Sequence, residues 1–351
     1  MNMEFKRLLP NPDELKAMIP LPKEGELIKA KNDQEIRDIL LGKNNNLLLI
    51  IGPCSADRED AVLEYISRLK VIYPKIHDVI TIIPRIYTNK PRTSGTGYKG
   101  MLHQPDPNKA PDMLMGLKAI RDMHIRAIME TGFSCADEML YNENHPYLSD
   151  VLSYVAVGAR SVEDQQHRLT ASGLSIPCGM KNPTSGDLTV MLNGINAAQH
   201  GHSFIYRGYE VETKGNPLAH AIIRGFVDEE GKMQANYHYE DLLFLAEHYT
   251  EEHFKHPALI VDCNHCNSSK KYEEQVRIAE EVMHSYAYNP KKLSFIKGLM
   301  VESYLEDGCQ KVGEGVYGKS ITDPCLGWEK TERFLYDLAD NLRRMKKEGI
   351  R

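Results

Sequence analysis

The stretch Val79–Gly100, VITIIPRIYTNKPRTSGTGYKG, sets an apolar β-branched run directly against Arg85, Lys90, Arg92 and Lys99. A run that apolar reads as a strand buried on both faces, and the cations arrive where it leaves the core. The Gly, Pro, Ser and Thr residues after Arg85 make a loop. Four cations on one loop repel one another unless something anionic binds between them, although a solvated basic loop is the ordinary alternative for any one such run.

Working outward, the pattern repeats. Residues 1–46 carry Pro10, Pro12, Pro20 and Pro22 and then one amphipathic helix through Ile36, Ile39, Leu40 and Leu41, an arm outside the main repeat. Buried strands are predicted at Leu47–Ser55, in the run ending at Arg85, and at Ile125–Glu130, Ser153–Gly158, Ile176–Lys181, Ala219–Gly225, Ala258–Asp262 and Leu293–Val301. Helical patterns lie between them, and Ser161 with Asp164 resembles a capping box for the helix Val162–Ser172. A hairpin at about 203–213, around Gly208, intrudes before the sixth strand. Eight buried strands alternating with helices make residues 47–351 a (β/α)8 TIM barrel of the α/β class, with an N-terminal extension and an inserted β-hairpin. A doubly wound open sheet is the runner-up, but GPCSAD after the first strand is not its G-x-G-x-x-G fingerprint.

Composition bounds the function. The 351 residues are 26% charged and 42% hydrophobic, as in an ordinary soluble enzyme, and the net charge of −6 argues against nucleic acid or an anionic membrane as a partner. The N-terminus has no signal-peptide core and no stretch reaches the roughly 18 apolar residues of a membrane span, so a cytoplasmic place is expected. Seven scattered cysteines indicate thiol or metal chemistry, not a disulfide framework.

In a barrel, active-site groups belong at the C-terminal strand ends. Seven of the eight predicted strands carry one: Cys54, Arg85, Arg160, Lys181, Arg224, His265 and Glu302. Each alone has a plain explanation as an ion pair or filler, but seven together do not. Cys54, His265, Glu302 and Asp323 form a mixed sulfur, imidazole and carboxylate set suited to one divalent ion such as Mn²⁺, Fe²⁺, Co²⁺ or Zn²⁺, provided the barrel brings them together. Cys263 and Cys266 form a C-x-x-C without a second pair, which argues against structural zinc. Arg85, Lys90, Arg92, Arg160, Lys181 and Arg224 are more cations than one phosphate needs and fit two anionic small molecules. Lys90, crowded by Arg85 and Arg92, is expected to have a lowered pKa and to act as a proton donor; one more anion clamp is the plainer role.

GPCS (Gly52–Ser55), KPRTS (Lys90–Ser94), GYKG (Gly97–Gly100), GAR (Gly158–Arg160), MKN (Met180–Asn182), IIRG (Ile222–Gly225), NHCNSSK (Asn264–Lys270), VES (Val301–Ser303) and YGKSITDPCLGW (Tyr317–Trp328) together resemble the type I 3-deoxy-D-arabino-heptulosonate 7-phosphate (DAHP) synthases, of the subtype with an N-terminal arm and inserted hairpin. The resemblance implies condensation of phosphoenolpyruvate with erythrose 4-phosphate and water, the first step of the shikimate pathway of aromatic amino-acid biosynthesis, in a metal-dependent barrel. By position, Cys54, His265, Glu302 and Asp323 match the metal ligands, with Cys54, His265 and Lys90 at the chemistry. Ala159, Arg160, Lys181 and Arg224 match the phosphate side of phosphoenolpyruvate, Arg85 and Lys90 its carboxylate side, and Arg92 and Thr93 the sugar phosphate. Glu138, in ADEML, matches a carboxylate near the phosphoenolpyruvate phosphate. The resemblance also implies a homodimer or homotetramer in which the arm (1–46) and the hairpin serve oligomerisation and binding of an aromatic amino-acid feedback inhibitor. Phe226, Cys263 and Cys266 depart from the family pattern and are expected to alter the pocket wall. Cys325, two residues beyond Asp323, is expected to pair with Cys54 on metal-free oxidation. The rival readings are the sister synthase that uses arabinose 5-phosphate, disfavoured by Pro91 in KPRT, and a silent barrel serving as a binding subunit, disfavoured by the complete ligand set.

Overall fold

A computed structural model describes residues 2–92, 95–251 and 254–351, apart from the side chains of 250 and 251. Eight parallel strands, Leu47–Gly52, Ile80–Pro84, Cys135–Glu138, Leu152–Val157, Cys178–Lys181, Ala219–Ile223, Leu259–Asp262 and Ile296–Glu302, form one sheet. The second strand pairs with the first, the first with the eighth, and the ladder then runs down through the seventh, sixth, fifth and fourth to the third. A parallel bridge between Arg85 and Ala136, with Ile86 N–H donating to Ala136 O at 2.9 Å, closes the circle between the second and third strands. The expected TIM barrel is therefore the fold. No helix among the described residues is long and apolar enough to cross a membrane.

Strand alternation separates two apolar layers. Leu48, Ile50, Ile83, Tyr87, Ala136, Tyr154, Ala156, Ile222, Ile260 and Met300 pack together inside the barrel. Leu47, Leu49 and Ile51, one step out of phase, pack in the shell beneath the surrounding helices. Ile36, Ile39 and Leu40 join the inner layer. These three lie on one face of a helix at i, i+3 and i+4, so the last turn of the arm helix plugs the barrel.

The arm holds two helices where the sequence reading expects one: Pro12–Met18, capped by Asn11 and Glu14 in a capping box, and Lys23–Leu40, which begins after Pro22. The hairpin, Ser203–Tyr206 and Tyr209–Glu212, stands before the sixth strand as expected. A second small hairpin, Phe226–Val227 with Met233–Gln234, was not foreseen.

The third strand corrects the sequence reading. Ile125–Glu130 is not a strand: the helix Met113–Arg126 runs on through a π-turn, Ala127–Thr131, to Gly132 at φ +81°. Ile120, Met123, His124, Ala127, Ile128 and Thr131 are all buried, and that is helical spacing. The strand follows at Cys135 and ends on Glu138. The helix Gln165–Ser172 is capped by Asp164, whose carboxylate accepts the His167 N–H, so Ser161 is not its cap.

Candidate active site

With the third strand moved, all eight strand ends carry a polar group, Glu138 supplying the missing one. Cys54, Arg85, Lys90, Arg92, Glu138, Ala159, Arg160, Lys181, Arg224, His265 and Asp323 line one cavity of about 430 Å³ at the C-terminal mouth of the barrel. Glu302 is fully buried beneath it. Thr93 lies outside the described residues. Phe226 and Cys263 are not among the lining residues, so the wall they were expected to alter lies elsewhere: the Phe226 ring crowds Gly186, and Cys263 packs in the outer shell. Cys266 approaches Arg224, its sulfur 3.9 Å from Nη1.

The donor atoms of Cys54, Glu302 and Asp323 all lie within 4.8 Å of one another. His265 adjoins this group, its Nε2 3.6 Å from Glu302 Oε1 and its Nδ1 2.8 Å from Asp262 Oδ2. His265 has φ +54°, a strained left-handed backbone that turns its ring into the mouth. A carboxylate behind a histidine is the arrangement that fixes ring orientation for metal binding. One sulfur and two carboxylates from separate strands and loops thus come close enough together to hold one divalent ion, with the His265 imidazole beside them.

Burial and charge set the protonation states. Burial and the nearby Glu302 carboxylate push the Cys54 thiol up to about 11. Burial would raise Glu302, but Arg85, His265 and Lys90 outweigh it and hold the carboxyl below its usual range. Asp323 likewise stays well below that range because Lys90, His265 and Lys270 overcome its burial. Burial lowers His265 more than its two carboxylate neighbours raise it, so the ring is neutral near pH 7.

Lys90 differs from expectation. Its ammonium is 2.8 Å from Cys54 Sγ and 2.9 Å from Asp323 Oδ2. Burial pulls its pKa down, but Cys54, Asp323 and Glu302 raise it further, and the result is a pKa above the ordinary lysine value. The two arginines that were to crowd it are engaged elsewhere. Arg85 donates to Glu302 Oε1 at 2.7 Å, to the carbonyls of Pro53 and Cys54, and stacks 3.6 Å over the Tyr87 ring. Arg92 Nε donates to Tyr98 O at 2.8 Å.

On the opposite wall, Lys181 Nζ meets Asp262 Oδ2 at 3.2 Å. The Arg224 N–H donates to Asn182 Oδ1 at 2.9 Å, which fixes the end of the sixth strand against the fifth. Arg160 is exposed at the mouth. Gly158 leaves room for Glu138: a Cβ there would stand 2.3 Å from Glu138 Oε1 and would push that carboxylate aside. Cys325 is close behind the site, its sulfur accepting the Cys54 N–H at 3.3 Å.

Several groups escaped the sequence reading. Asp262 connects His265 to Lys181; a lone acid ending an apolar strand was its visible signal. Gln275 clamps the backbone of Glu302, accepting its N–H and donating to its carbonyl. Lys270 lines the cavity and pairs with Asp323 Oδ1 at 3.0 Å.

Comparison with known proteins places the chain in a family. The Tyr-sensitive phospho-2-dehydro-3-deoxyheptonate aldolase of Escherichia coli (strain K12) is 35% identical over 96% of this chain and 94% of its own. The Trp-sensitive enzyme of that name from Enterobacter agglomerans is 38% identical over 88% of this chain and 87% of its own. The solved phospho-2-dehydro-3-deoxyheptonate aldolase of Francisella tularensis SCHU S4 superposes with a TM-score of 0.90 at 30% identity, covering 97% of this chain and 99% of that one. Residues 26–336 match the DAHP synthetase I family, and the chain belongs to it.

Proposed function

We propose that this chain condenses phosphoenolpyruvate with erythrose 4-phosphate and water to DAHP and inorganic phosphate, with the residue roles that follow. The observation that carries the reading is one barrel mouth where Cys54, His265 and Asp323 line the cavity with Glu302 buried beneath them, and where a ring of cations, Lys90, Arg92, Arg160, Lys181 and Arg224, lines the same cavity. Phosphate and carboxylate groups are what such cations bind.

Lys181, Arg224, Arg160 and the Ala159 backbone hold the phosphate of phosphoenolpyruvate, with Glu138 beside it. Lys90 faces its carboxylate. Arg85, whose guanidinium is already bonded to Glu302, supports that side chiefly through Glu302. Arg92, with Thr93, takes the sugar phosphate. A divalent ion held by Cys54, His265, Glu302 and Asp323, one of Mn²⁺, Fe²⁺, Co²⁺ or Zn²⁺, would supply Lewis-acid polarisation of the sugar aldehyde. C3 of phosphoenolpyruvate attacks that aldehyde, Lys90 gives a proton to the new alkoxide, and water adds at C2 before phosphate leaves. A lysine kept charged by the Asp323 and Glu302 carboxylates has its proton in place across the neutral range.

The arm and hairpin fit a role in assembly and regulation. Arg207 of the hairpin meets Asp13 of the arm at 3.4 Å within one chain, while Met3, Phe5, Leu8, Ile205 and Tyr209 stay exposed. Apolar groups left in water on two neighbouring elements fit burial against a second copy, in a homodimer or homotetramer. Relatives named Tyr-sensitive and Trp-sensitive support an aromatic amino acid as effector. The cytoplasm is the place that accords with this activity.

The reaction is tested by following phosphoenolpyruvate loss with each sugar. Loss with erythrose 4-phosphate and none with arabinose 5-phosphate is expected; the reverse assigns the sister chemistry, and loss with neither removes the enzymatic reading.

A further inference from the structure

We propose that Asn264, which is not itself a ligand, is a positioning residue that sets the affinity of the metal site. The proposal rests on the reading of Cys54, His265, Glu302 and Asp323 as the metal-binding set. Asn264 is fully buried, and its side chain reaches one member of that set, Glu302, and the backbone beside another, Asp323. Its Nδ2 donates to Glu302 Oε2 at 2.6 Å and to the carbonyl of Pro324, the residue after Asp323, at 3.4 Å. Its backbone N–H donates to Asp262 Oδ1 at 3.0 Å, and the next residue in the chain is His265. Its own Oδ1 accepts the Ser268 hydroxyl at 2.7 Å, which fixes the amide the right way round.

The chemistry explains why an amide serves here. A carboxylate turns about its last torsion unless both oxygens are held. Arg85 holds Glu302 Oε1 at 2.7 Å and Asn264 holds Oε2, so the plane of the carboxylate is fixed. A second cation at Oε2 would compete with a metal for the same negative charge, and a second carboxylate would repel Glu302. The neutral amide orients the ligand without altering the charge of the site. Because it also binds the Pro324 carbonyl, it fixes the spacing between the eighth strand and the Asp323 loop.

The test is Mn²⁺ binding to the metal-stripped full chain without substrate, read from the free-ion electron paramagnetic resonance signal. Asn264→Ala should weaken the Kd by about 10- to 100-fold, the usual effect of removing a group that orients a ligand. Ser268→Ala, which keeps the amide but releases its holder, should weaken it in the same direction by less, with kcat recovering at saturating Mn²⁺. Wild-type affinity in Asn264→Ala overturns the proposal. If that variant does not fold, wild-type affinity in Ser268→Ala overturns it. A wild-type chain that binds no Mn²⁺ is a different result, which removes the metal-site reading and this proposal together.

Discussion

Lys181 and Asp262 form a buried ion pair, Nζ to Oδ2 at 3.2 Å, and that same oxygen lies 2.8 Å from His265 Nδ1. One carboxylate therefore stands between the cation wall and the metal-suited set. Lys181→Met would leave Asp262 ionised and buried with a neutral imidazole as its main partner. Removing one member of a buried pair costs about 3–5 kcal/mol. The variant should melt well below the wild type and raise the KM for phosphoenolpyruvate at least about tenfold, since about 1.4 kcal/mol of lost binding suffices. Unchanged melting and KM would show that the pair neither supports the fold nor meets the substrate.

Metal binding should release a proton. The Cys54 thiol, pushed up to about 11, stays protonated at pH 7 to 9, whereas a metal binds the thiolate. His265 is already neutral and both carboxylates are already ionised, so the proton comes from Cys54. Apparent affinity should rise about tenfold per pH unit across this range. A pH-stat titration with Mn²⁺ should record about one proton per ion in the wild type and none in Cys54→Ser. No release from the wild type would mean that the sulfur does not bind as thiolate.

Lys90 sits between Cys54 and Asp323 with its pKa raised, so it stays charged throughout the neutral range. The kcat profile should therefore show no lysine inflection between about pH 6 and 9, and Lys90→Met should lower kcat by about 10²- to 10⁴-fold, the typical worth of a positioned acid. Near-normal turnover in that variant would remove its role as donor.

The barrel was legible because most of its strands are near-continuous apolar runs, and Cys54, Arg85, Lys181, Arg224 and Glu302 because each stands at or just past the end of such a run. Ile125–Glu130 misled because a helix face that packs on the barrel is as apolar as a strand over six residues; Gly132, the capping glycine, was the better marker. Asp262, Asn264 and Gln275 were not legible as a group, because their role lies in hydrogen bonds between strands remote in sequence. Lys90 departs from the lowered pKa its sequence neighbours suggest because Arg85, close to it along the chain, turns inward to Glu302.

Stability should respond to Asp57. Burial pushes this carboxyl up to about 6, against the Tyr304 hydroxyl that donates to its Oδ1 at 2.9 Å. A folded-state pKa above the unfolded value means that ionising Asp57 penalises the folded chain, by on the order of 2 to 3 kcal/mol above pH 6. The penalty fades as the pH falls towards 4. Asp57→Asn, which keeps an acceptor for Tyr304, should melt a few degrees above the wild type at pH 7.5, and the gap should close near pH 4. A gap that persists at low pH would assign the gain to something other than this charge.

The metal-suited set and the substrate cradle at this barrel mouth are expected to work together. Phosphoenolpyruvate consumption with erythrose 4-phosphate, measured before chelation, after it, and after Mn²⁺ is restored, tests this most directly. Loss of activity on chelation and its return with Mn²⁺ is the predicted result; full activity in the chelated, metal-free chain would contradict it.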